Sequence, residues 1–215
     1  MLRQALVIGL GQFGMSMARS LASHGVEVLA VDLHPEPVEE AAEFAAEAAA
    51  FNAMDERSLA RTSPQTRDLC VCAIGHESRE SAILVTALLS ELGAPRIVAR
   101  ATDALMERIL RRVGAEIVVN PERSEGERLA EQFVSEGLRL TVPLGDGLRL
   151  SEQALRADMV GRSLAELDFR RRFGAVVVAV RAKGRLVLPE PHRPLEPDDV
   201  LMLVSDQPGL EGETP

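Results

Sequence analysis

Short apolar runs recur along the first half of the chain, and each is followed by a stretch with helical periodicity. Residues 5–10, 26–31, 48–51, 69–74, 96–100 and 117–119 read as strands, and 13–23, 35–46, 56–62, 77–92 and 102–113 as helices. Strands that are apolar throughout and alternate with helices form a parallel sheet covered on both faces. Right-handed crossovers then make the doubly wound, Rossmann-like α/β fold. A charge-rich helix over 121–136 follows and reads as a connector leaving this sheet. Beyond Gly137 the texture changes. Residues 138–144 and 148–155 read as strands about Gly145-Asp146-Gly147, a hairpin signal. A single helix is expected over 164–173, a second hairpin over 175–181 and 185–188 about Lys183-Gly184, a proline-rich loop over 189–197 and a closing strand over 200–204. The expected organisation is a nucleotide-binding domain over 1–120, a connector over 121–137, a smaller α+β domain over 138–206 and a flexible tail over 207–215.

Composition narrows the function classes. With 46% hydrophobic residues the chain can build a proper core. No apolar run approaches the roughly 18–20 residues needed to cross a bilayer. The first residues lead straight into a strand, so no signal peptide is expected and the protein is placed in the cytosol, acting at a membrane only through a partner. A net charge of −9 argues against nucleic acid as a partner. An aromatic content of 3% with no Trp or Tyr leaves no platform for stacking bases. The densest basic patch, Arg170-Arg171-Arg172, reads as a helix end, where cations are favoured. Cys70 and Cys72 share one face of a strand and read as small buried hydrophobes.

Gly9-Leu10-Gly11-Gln12-Phe13-Gly14 is a GxGxxG directly after a strand and at the start of a helix. Its first glycine permits a tight turn, its second a close approach of backbone to phosphate, and its third close packing of helix on strand. The helix N-terminus adds unpaired N–H groups and the positive end of a dipole. Asp32 closes the second strand 18 residues after Gly14, near the spacing of a ribose-binding carboxylate. A carboxylate there accepts both ribose hydroxyls and repels a 2′-phosphate, which disfavours NADP. Leu33 and His34 follow it and are assigned to the adenosine end. In such sheets ligands lie outside the carboxyl ends of the strands. Asn52 and Ala53 are therefore assigned to the adenine edge, Ala73, Ile74 and Gly75 to small contacts, and Arg100 to the phosphates.

Together these features resemble the RCK or KTN family, the TrkA/KtrA-type regulators of potassium channels and transporters. VIGLGQFGMSMARSLASHGVEVLAVD is very similar to the family's first βαβ unit, and AIG and GAEIVVNPE match its later strand ends. VGRSLAELDFRRRFGAVVVAVRAKG and LEPDDVLMLVSD resemble its TrkA-C domain, which ordinary dehydrogenases lack. The resemblance implies a nucleotide-sensing gating subunit that is not an enzyme. It implies ATP, ADP or NAD(H) in the crevice, cradled by Gly9, Gly11, Gln12, Phe13 and Gly14, with Asp32 on the ribose and Arg100 lining the site. It further implies that Glu122 helps hold a divalent or monovalent cation near the phosphates. Homodimers assembling into an octameric ring under a membrane potassium channel or transporter subunit are implied as well, with cyclic di-AMP at the TrkA-C pair of some members. KtrA-like members carry an arginine where this chain has Gln12. A neutral amide cannot pair bidentately with phosphate, so the expectation shifts from ATP toward ADP or NAD(H).

Three other readings compete, of which a redox-sensing transcription factor would need a basic helix-turn-helix that is not found in the sequence. A regulator of a cation/proton antiporter would share every one of these features. An NAD-dependent oxidoreductase would need an acid–base group and a substrate pocket. Of His24, His34, His76 and His192, only His76 falls near the crevice in sequence, and the chain has a single lysine, Lys183. Removing the Asp32 side chain is expected to abolish the nucleotide response and leave the fold intact.

Overall fold

The computed structural model describes residues 2–75, 78–134 and 138–206 and divides into two compact units, Met1–Glu122 and Arg123–Pro215. His76, part of the proposed connector (135–137) and the C-terminal residues 207–215 lie outside the described residues.

The first unit holds β1 (Gln4–Ile8), α1 (Gln12–Ser23), β2 (Glu27–Asp32), α2 (Pro35–Ala42), β3 (Glu47–Ala50), α3 (Glu56–Arg61), β4 (Leu69–Cys72), α4 (Arg79–Glu91), β5 (Ile97–Arg100), α5 (Ala104–Arg112) and β6 (Ile117–Val119). The six strands form one parallel sheet in the order β3-β2-β1-β4-β5-β6. Strand alternation splits the core into two layers. Leu6, Ile8, Cys70 and Cys72 face one side, against Leu59, Val85, Leu89 and Leu110 of α3, α4 and α5. Ala5, Val7, Val28 and Ala30 face the other, against Ala18 of α1 and Ala41 of α2. This is why the strands read as continuous apolar runs: both faces are buried. The chain reverses its direction of travel across the sheet at β1, which pairs with both β2 and β4. Loops therefore part at the carboxyl end of β1 and leave a crevice there.

Helix α6 (Pro121–Val134) spans the boundary between the units. The second unit contains β7 (Leu138–Gly145), β8 (Leu148–Ala154), α7 (Leu164–Leu167), α8 (Phe169–Phe173), β9 (Val176–Ala182), β10 (Arg185–Val187) and β11 (Val200–Ser205). Its strands pair antiparallel in the order β10-β9-β11-β8-β7. Both hairpins turn on two residues with positive φ, Asp146-Gly147 and Lys183-Gly184, as the right-handed twist of paired strands favours. Met159, Leu167, Phe169, Phe173, Val180, Leu201 and Leu203 make its core.

The helix expected over 164–173 is in fact two. Asp168 sits in the left-handed region at φ 42° and breaks it. A capping box between Ser163 and Glu166 starts the first piece. The break turns Phe169 and Phe173 together into the core, with ring centroids 5.4 Å apart. Helix α2 also stops at Ala42, short of the expected residue 46, and β3 begins one residue earlier than its apolar run. No helix among the described residues is long and apolar enough to cross a membrane.

Candidate nucleotide-binding site

The three glycines of the first loop have three different reasons to be glycine. Gly9 lies at φ +91°, and a Cβ there would stand 3.0 Å from the Ile74 nitrogen. Its own N–H donates to the Val31 carbonyl at 2.8 Å. Gly14 faces back onto the turn, where a Cβ would come within 1.8 Å of the Gly9 oxygen. Both are dictated by the protein's own packing. Gly11 is not: its φ of −64° suits any residue, and no atom of the described residues lies within 4 Å of a Cβ built on it. The open space at Gly11 matches the place where the motif lets backbone approach a phosphate.

Gly11 is also the N-cap of α1 and has no side chain to cap with. Helices α4 and α5 are closed by their own residues, whereas α2, with a proline at its start, has no side-chain cap. Ser78 accepts from the Ser81 N–H at the start of α4, and Asp103 from the Leu105 and Met106 N–H groups at the start of α5. The first turn of α1 contains no acidic residue either. Its free N–H groups thus keep their capacity for an anion.

Asp32 ends β2 beside this loop. Its Oδ2 accepts the Leu10 N–H at 2.6 Å and its Oδ1 accepts the His34 N–H at 2.9 Å. The carboxylate therefore ties the glycine loop to the β2–α2 turn, and each oxygen retains further acceptor capacity for a hydroxyl.

Arg100 ends β5 and reaches across the crevice. Its Nη1 would meet a Cβ on Gly75 at 2.7 Å, so Gly75 leaves room for the guanidinium. Its Cζ lies 6.0 Å from the centre of the Phe13 ring in the first turn of α1. Nη2 donates to Oε1 of Glu122, in the first turn of α6. Among the described residues the buried Arg100 Nε–H finds no acceptor, and the buried Thr102 hydroxyl two residues on finds no partner. The sequence places Thr102 only at the start of a helix; a hydroxyl two residues past a strand end is the one signal that could have marked it.

Comparison with known proteins decides the family. The TrkA-N domain family matches residues 5–121, and the TrkA-C domain family matches residues 156–211. The chain belongs to the RCK/KTN family. It is similar to the Ktr system potassium uptake protein C of Bacillus subtilis, at 33% identity over 95% of this chain and 92% of that one. The Ktr system potassium uptake protein A of Vibrio alginolyticus is 31% identical over 97% and 94% of the two chains. In fold, the chain is similar to the GsuK channel in its NAD-bound form, with a TM-score of 0.65 at 17% identity. That likeness covers 95% of this chain and 37% of the channel, so this chain spans little more than a third of the channel's length.

The TrkA-N crevice does not gather every residue assigned to it from sequence. Gly9, Gly11, Phe13, Gly14, Gly75 and Arg100 meet around the α1 N-terminus, with Asp32 at the loop's other side. Gln12 is exposed at the first position of α1. Ala73 is buried, and its Cβ packs toward Gly14. Ile74 packs partly into the core. Ala53 is itself a core residue. The Asn52 side-chain oxygen is taken by the Met54 N–H at 3.0 Å, a turn-forming bond. Leu33 is 60% exposed, and His34 serves as the N-cap of α2. Among the described residues no group of three or more His, Cys, Asp or Glu converges on a metal position, and Glu122 meets an arginine. Burial pushes the Cys70 thiol up to about 12 and raises that of Cys72 as well, so both act as core residues.

Proposed function

We propose that the chain is a cytosolic, nucleotide-sensing regulatory subunit of a potassium-transport system. In this reading it binds ATP, ADP or NAD(H) in the TrkA-N crevice and works as a homodimer built into an octameric ring on a membrane partner. The observation that carries the ligand part is Gly11. It is a glycine that neither backbone nor packing requires, at the one crevice helix among α1, α4 and α5 without a side-chain cap. Anion binding explains both features together. The buried Nε–H of Arg100 supplies a further donor that a phosphate oxygen would satisfy. Support for the transport role comes from the two Ktr relatives, each named as a potassium uptake protein and each aligned along nearly its whole length. The GsuK channel, whose fold the chain shares, binds NAD.

Regulation requires that the nucleotide bind two conformations unequally, because a ligand shifts an equilibrium only by its difference in affinity. The crevice suits recognition better than catalysis. Asp32 is committed to two backbone N–H groups and Arg100 to Glu122. Among the described residues this arrangement orients a ligand and presents no nucleophile with an adjacent base. A cation held near the phosphates by Glu122 would first have to displace Arg100. The test is co-expression with the potassium-translocating membrane subunit of the same genome. Co-purification and a nucleotide-dependent potassium flux in reconstituted vesicles are expected. A flux indifferent to every adenine nucleotide contradicts the proposal.

A further inference from the structure

We infer that Glu122 occupies Arg100 as an internal stand-in for a ligand phosphate, so that nucleotide binding is an exchange of anions on one guanidinium. The inference rests on the nucleotide reading above and adds its regulation. Three observations carry it. First, Glu122 takes the Nη2–H of Arg100, while the adjacent Nε–H on the same edge of the fork has no acceptor among the described residues. That edge is built to hold two oxygens of one anion, and a phosphate can fill both places. Second, the two partners are unequally placed. The Arg100 side chain is 14% exposed and fixed by Gly75 and Phe13, whereas the Glu122 side chain is 54% exposed. A half-solvated carboxylate is a weak holder, because water compensates its loss. Third, the Arg100 guanidinium lies 6.0 Å from the ring centre of Phe13 in the first turn of α1, the helix whose N-terminal N–H groups have no side-chain cap. A phosphate held there lies on the guanidinium's side of the crevice.

The consequence follows from where Glu122 sits. It is in the first turn of α6, the helix that runs from the first unit into the second. When a phosphate takes the fork, the carboxylate is released and the first turn of α6 loses its tie to β5. Ligand binding at the glycine loop thereby acts on α6 without the ligand touching it. This supplies the two-state element that coupling requires.

The test is calorimetric titration of ADP into the full chain in EDTA-containing buffer, using wild type, Glu122→Gln, Arg100→Gln and the double variant. Removing the competitor should tighten ADP binding by about threefold to fivefold, the scale of a partly exposed pair. Arg100→Gln should weaken binding about tenfold or more, and Glu122→Gln should then make no difference on top of it. Arg100→Lys, which keeps the charge but not the fork, should also bind weakly. In parallel, ADP should speed hydrogen exchange at the amides of residues 125–128, which bond to first-turn carbonyls of α6, in wild type and not in Glu122→Gln. Weaker or unchanged ADP binding by Glu122→Gln overturns the exchange, as does a gain that persists without Arg100. A wild-type chain that binds neither ADP nor NADH removes the nucleotide reading itself, a result distinct from either of these.

Discussion

In the proposed reading Asp32 does two jobs with one carboxylate. From sequence it is a ribose acceptor, recognisable by its distance from Gly14. In the structure it also accepts the Leu10 and His34 N–H groups and so anchors the glycine loop. Asp32→Ala is therefore not the clean ligand-site variant that the sequence suggests. Two charge-assisted hydrogen bonds are lost with it, and stability should fall by about 2–3 kcal/mol. Asp32→Asn keeps one acceptor oxygen and should lose about half as much. Urea unfolding of the two variants checks this, and equal stability of Asp32→Ala and wild type would show the anchoring bonds to be unimportant. The glycine motif was legible, each glycine with its own role, because its spacing reports backbone geometry. The structure adds the contacts that set Gly11 apart from Gly9 and Gly14. Ala53 was assigned to the adenine edge from its place after β3, yet its side chain points into the core. Position along the chain locates a strand end; it does not tell which way the next Cβ points.

Elements were legible where one face or both faces were uniformly apolar, and less so where a single residue decides. Strands β1, β2, β4 and β5 are buried on both sides, and their apolar runs announce them. The break between α7 and α8 rests on the left-handed backbone of Asp168, invisible to periodicity because the apolar positions continue through it. The start of β1 depends on another acid. Asp68 accepts the Gln4 N–H at 3.0 Å and the Arg3 N–H at 2.7 Å, and these two bonds hold its carboxyl below the usual range. A carboxyl with a lowered folded-state pKa stabilises the fold above its unfolded value, and that contribution disappears as pH falls through the lowered one. Asp68→Asn should lower the melting temperature at pH 7 and flatten its decline below pH 4. Melting curves from pH 7 to pH 2.5 test this, and parallel declines for variant and wild type would contradict it.

Across the whole chain, the order of elements carried most of the information. Alternating strands and helices fixed a parallel sheet, and the reversal of direction at β1 fixed where its crevice opens. The change of texture after residue 137 announced a second, antiparallel sheet, and the described strands form one. What the order could not show is that α6 begins within one unit and ends in the other, with Glu122 on Arg100 at its first turn. A pair 22 residues apart leaves no periodic trace.

In the proposed reading Gly11 is a glycine for the sake of a nucleotide phosphate. Gly11→Ala isolates this role, because the added methyl meets no atom of the described residues within 4 Å and the backbone suits alanine. The variant should lose less than about 1 kcal/mol of stability, the scale of an altered N-cap. Calorimetric titration with ADP and with NADH decides the matter. Saturable binding by wild type and an affinity at least about tenfold weaker in the equally folded variant is the predicted result. Equal affinity in the two proteins, or no binding of either nucleotide by wild type, contradicts it.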